Sequence, residues 1–134
     1  MSLRSLPLIV IAFILYNVIV LSFGVDALDR NLFELTMLSG GVWKFNSGHL
    51  IILITLILLF IEIVKSTYTT TSSLVDHGLS MVVFVACLVE FLMTPPAATS
   101  VFFLIVVATS IDVIAGFTIG IRVAQRDLTF GTAN

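Results

Sequence analysis

The sequence predicts an all-α integral membrane protein of four antiparallel transmembrane helices, with a short interfacial helix between the first and second. Three observations lead there. Apolar residues fill 59% of the 134 positions and charged residues only 10%, against roughly 25% charged in an ordinary soluble domain. The apolar residues gather into four runs, Leu6–Phe23, Leu50–Val64, Leu79–Met93 and Val101–Ile121, and a helix needs about 20 mostly apolar residues to cross a bilayer core. The connections between the runs are too short to build a soluble domain. A single domain over 1–134 is expected, with spans near 5–24, 48–65, 74–94 and 97–124 and an interfacial segment near 31–39.

The first run follows Arg4 and resembles a secretory leader, with Val25-Asp26-Ala27 as a loose cleavage pattern. Its length exceeds the roughly 7–15 residues of a leader core, so it reads as a retained span. The connection after it, Val25–Ser47, is the longest. Asn31-Leu-Phe-Glu34 has capping-box spacing, and Leu32, Phe33, Leu35, Met37 and Leu38 follow before Ser39-Gly40-Gly41 interrupts. A short helix at the membrane boundary is expected, with Trp43, Lys44 and Phe45 as interface anchors.

The second run ends in a hydroxyl-rich loop, Tyr68–Ser73, and Ser73-Leu-Val-Asp76 has the spacing of a helix start. Pro95-Pro96 closes the third run, because proline cannot continue the helical hydrogen-bond ladder. Only Thr94–Ser100 then separates the third and fourth runs, which makes them an antiparallel hairpin. Asp127–Asn134 lacks apolar periodicity and is expected to fray or to dock on a partner.

Charge and cysteine content exclude several classes. The net charge of −2 and six scattered basic residues do not suit nucleic acid. The single cysteine, Cys87, cannot form an internal disulfide, and no CxxC motif is present. His49 and His77 fall at opposite ends of the bundle, so they cannot share a metal or haem. No metal, cofactor or catalytic motif is predicted, and the chain reads as non-enzymatic. Arg4, Lys65, Arg122 and Arg126 lie on one side and Arg30 and Lys44 on the other. That bias places both termini in the cytoplasm, in a membrane taken to be a bacterial inner membrane.

The candidate functional residues are the polar ones inside the spans, where a charged side chain costs about 2.5–3.5 kcal/mol on insertion scales. Asp112 lies on a stripe of small residues, Ala108, Gly116, Gly120 and Ala124, whose GxxxG spacing permits close helix approach. Counting at 1.5 Å per residue puts Asp112 at a depth of about 15 Å and Asn17 at about 18 Å, so the two are expected to hydrogen-bond. Glu62 and Lys65 have i, i+3 spacing for an ion pair that His77 could join. Glu90 and His49 form a third polar tier at the other end.

Two functional readings follow. The first is an accessory or assembly subunit of a larger membrane complex, or a homo-oligomer, acting through helix packing with membrane lipid and other membrane chains as partners. The alternative is a small proton- or cation-coupled channel or transporter whose buried carboxylates form a relay. A reporter fused within Tyr68–Ser73 should read out as cytoplasmic; an external reading would reverse the orientation.

Overall fold

The computed structural model describes residues 6–67 and 73–132, with backbone alone at 73–76, 123–124 and 126–132. Arg4, the loop at 68–72, and the side chains of Ser73, Asp76, Ala124 and Arg126 therefore lie outside the described residues. Four helices carry the fold: α1 (Val10–Phe23), α2 (Ser47–Ser66), α3 (Ser73–Met93) and α4 (Ser100–Thr132). Of these, Ser47–Ser66 and Ser100–Arg122 are long and apolar enough to cross a membrane, and Val10–Phe23 and His77–Met93 are shorter apolar helices. The backbone of α4 stays helical to Thr132, beyond the end expected from its apolar run.

The segment near 31–39 corrects the expected interfacial helix. It is a two-stranded antiparallel sheet, β1 (Asn31–Thr36) and β2 (Val42–Asn46), preceded by a 3-10 turn at Val25–Asp29. The physical reason is side-chain alternation. Phe33 pairs with Phe45 and Leu35 with Trp43, all on one face, while Glu34 pairs with Lys44 on the other. Phe33 and Phe45 stack with ring centroids 5.0 Å apart, and the Trp43 ring stands 5.5 Å from both. Such cross-strand aromatic pairs stabilise a hairpin. At the tip, the Gly40 N–H donates to Met37 C=O and the Met37 N–H to Gly41 C=O. Gly40 has φ of 88°, the left-handed conformation that a three-residue hairpin loop requires.

The chain reverses at each connection, so α2 and α4 run in one direction and α1 and α3 in the other. Helix α4 is the central element, packed on both α2 and α3, while α1 lies chiefly against α2. At the hairpin end, Tyr16 joins α1 to the connection between α3 and α4. Its hydroxyl lies 2.8 Å from Pro96 C=O and 2.7 Å from Thr99 Oγ1. Its ring meets Phe102 edge-on at 4.9 Å. Phe102 also neighbours Phe13 and Phe91 and anchors a core with Val20, Leu28, Ile51, Cys87, Ala97 and Ile105. α2 starts on a reciprocal capping box: Asn46 Oδ1 accepts from the His49 N–H at 2.8 Å, and the Asn46 N–H donates to His49 Nδ1 at 3.2 Å.

Gly40→Ala forces an L-residue into the left-handed region at a cost of about 1–2 kcal/mol. Trp43 is the chain's only tryptophan and sits in the hairpin, so its fluorescence should unfold at lower denaturant in the variant while helical circular dichroism holds. Coincident curves for both proteins would contradict the turn assignment.

Candidate functional site

The polar residues at the end away from the hairpin are placed by helical arithmetic. Ile9, Leu59 and Ala108 form a buried apolar layer, with Val83 packed against it. One turn further along the parallel helices α2 and α4 come Glu62 and Asp112. One turn back along the antiparallel α3 comes Ser80. The next turn brings Lys65, Gly116 and His77. A layer of carboxylates therefore lies directly beneath a layer of hydrocarbon.

Glu62 is 5% exposed and ties α1 to α2. Its Oε1 accepts from the Leu8 N–H, at the entry to α1, and from Lys65 Nζ at 3.4 Å. Lys65 Nζ also donates to Leu6 C=O at 3.3 Å. The first amides of a helix have no intrahelical acceptor, and a carboxylate near them is favoured by the helix dipole. The expected i, i+3 pair of Glu62 and Lys65 is thus part of a clamp on the chain entering α1.

Asp112 is 4% exposed. The buried Ser80 on α3 lies beside its carboxyl, and Glu62 and Lys65 are the charged groups near it. Its Oδ2 is buried without a hydrogen-bond partner. The anticipated Asn17–Asp112 bond is not formed: Asn17 Nδ2 donates to Glu90 Oε2 at 3.1 Å and to Phe13 C=O at 2.9 Å. The possible Glu90–His49 contact is replaced as well, since Glu90 faces Asn17 and His49 closes the α2 capping box beside Phe45, with ring centroids 5.8 Å apart.

The small-residue stripe is filled from within the chain. The His77 imidazole lies across Gly116 and Gly120. A Cβ on Gly116 would come within 2.8 Å of Nδ1, and one on Gly120 within 2.8 Å of Nε2. Phe117 stacks on the same ring at 5.0 Å. His77 is therefore seated against α4 and its Nε2 has no hydrogen-bond partner; the Glu62–Lys65 pair that it could have joined forms without it. Ala108 is buried in the apolar layer above. Trp43, Lys44 and Phe45 lie in β2, among the exposed residues of the hairpin and at its base.

Reading the sequence alone missed Tyr16 as an anchor and Ser80 as the Asp112 neighbour. Ser80 was legible in principle, since it follows His77 by three positions on the face that meets α4. Among the described residues, no three His, Cys, Asp or Glu side chains come together to hold a metal ion.

No family model, curated protein or solved structure matches this chain.

Gly116→Ala should destabilise the bundle by about 1–3 kcal/mol, the usual cost of overpacking, and His77→Ala in the same chain should remove most of that penalty. Gly78→Ala, whose Cβ would meet nothing within 4 Å, serves as the tolerated control. A double-mutant cycle by denaturant titration measures the coupling; independent effects of Gly116 and His77 would contradict the seating of the imidazole on Gly116.

Proposed function

We propose that this chain is a non-enzymatic integral membrane protein, an accessory or assembly subunit of a larger membrane complex or a homo-oligomer, acting through helix packing. It would lie in a bacterial inner membrane with both termini in the cytoplasm. One observation carries the reading: all four helices turn large apolar side chains outward, while ionisable and hydroxyl groups lie buried among them. Leu21 on α1, Phe60 on α2, Leu92 on α3 and Ile114 on α4 are 62–71% exposed, while Glu62, Ser80 and Asp112 are buried. Exposed apolar surface on this scale needs lipid or other chains to cover it. Lipid provides no hydrophobic drive between helices, so the association of helices depends on packing and polar contacts.

A further feature supports partners in the membrane plane. An apolar cleft of about 310 Å³ opens between α2 and α4, with Thr55, Leu59, Ile105 and Ala108 among its lining residues. The Thr55 hydroxyl donates to Ile51 C=O at 2.7 Å, so the cleft asks only for hydrocarbon.

The channel or transporter reading has the unpartnered Asp112 oxygen in its favour. Against it stands the spacing of free polar groups along α4. Thr99 and Asp112 are separated by roughly 20 Å of helix; Phe102, Ile105 and Ala108 are buried between them, and the hydroxyl of the buried Thr109 is spent on Val106 C=O at 2.7 Å. Such a packed interval, with its one buried hydroxyl bonded to the helix backbone, does not supply the hydrated route that conduction needs.

Two measurements test the proposal together. After alkaline washing the protein should remain with the membrane fraction, and in mild detergent it should migrate on native gels above the 14.6 kDa chain with its bound detergent. Release into the wash would refute membrane integration. A strictly monomeric species, with no co-purifying chain, would refute assembly.

A further inference from the structure

The carboxylate layer has a property that packing alone does not use. Glu62 and Asp112 are both buried, and Lys65 is the only cation paired with them among the described residues. Glu62 is committed to that ammonium and to the Leu8 amide. Asp112 has Ser80 beside its carboxyl and keeps one buried oxygen without a donor. Among the described residues, two carboxylates and one ammonium leave one negative charge uncompensated in a place where uncompensated charge is costly.

We infer that Glu62, Ser80 and Asp112 form a binding site for one exchangeable proton, carried on Asp112 Oδ2. The proton comes from solvent water and returns to it. With it bound, Oδ2 becomes an O–H donor, Glu62 remains the single carboxylate opposite Lys65, and the layer is neutral. Among the described residues, the groups facing Asp112 are Glu62 and Lys65 from α2, Ser80 from α3, and His77 one turn nearer the helix end. Among the same residues, the chain entering α1 contributes the Leu8 amide, which already serves Glu62, and the Leu6 C=O, which takes Lys65. A metal ion would need more ligands than these residues assemble.

Access is one-sided. Ile9, Leu59 and Ala108 cover the layer toward the hairpin, whereas the Lys65 side chain on the opposite side is 27% exposed. The site therefore binds and releases its proton at one end of the bundle and does not pass it through. Because Glu62 also holds the Leu8 amide, the charge on the layer acts directly on the attachment of α1.

The test is infrared spectroscopy of the full chain in phosphatidylcholine vesicles during pH titration. The wild type should show the carbonyl band of a protonated carboxylic acid, and Asp112→Asn should abolish it. Glu62→Gln removes the surplus charge, so the band should then disappear at lower pH, by about one unit or more. Should Asp112→Asn fail to fold, carbon-13 labelling of aspartate in the wild type must shift the band. The proposal is overturned by a wild type without such a band, by a band indifferent to aspartate labelling, or by a Glu62→Gln titration identical to wild type.

Discussion

The carboxylate of Glu62 is the contact on which the arrangement of the helices depends. α1 is a short helix that lies mainly against α2, and the chain entering it presents backbone amides in an apolar setting. An amide left unsatisfied there would cost about 1–3 kcal/mol. Glu62 accepts from the Leu8 amide, and Lys65, one turn along, both balances the carboxylate and takes up Leu6 C=O. Two side chains of α2 thereby hold the start of α1, and the layer beneath Ile9, Leu59 and Ala108 follows from that register.

The hairpin end is held by different chemistry. There the Tyr16 hydroxyl reaches across to Pro96 and Thr99, the Ser47 N–H donates to Arg30 C=O at 3.0 Å, and Asn46 and His49 cap α2. These are uncharged hydrogen bonds between groups fixed by turns. One end of the bundle thus rests on a buried ion pair, and the other chiefly on hydrogen bonds set by backbone geometry, with the Asn17–Glu90 bond adding a contact to a carboxylate.

How much of this was legible in the sequence depends on the kind of information each feature needs. The four helices were readable because long apolar runs have few structural solutions, and Pro95-Pro96 marked the end of α3. The hairpin was readable but outweighed: Asn31 and Glu34 have capping-box spacing, yet their side chains meet each other at 3.1 Å, and the alternation of Phe33, Leu35, Trp43 and Phe45 decides the strand. Depth counting set Asn17 beside Asp112, but it holds no information on rotation about the helix axis, which turns Asn17 toward Glu90. The GxxxG stripe signalled close approach without naming what approaches; an imidazole from α3 fills it, not a second helix backbone. Glu62 and Lys65 were visible as a pair because i, i+3 spacing is local. Their hold on Leu6 and Leu8 was not, since it spans more than fifty residues of sequence.

Amide hydrogen exchange at Leu8 tests the central claim most directly. In the wild type, the Glu62 carboxylate should protect this amide. In Glu62→Leu, which keeps the bulk and removes the acceptor, exchange at Leu8 should rise by at least about tenfold, the equivalent of one lost hydrogen bond of roughly 1.4 kcal/mol, while amides in the middle of α2 stay protected. Unchanged exchange at Leu8 in the variant would contradict the account.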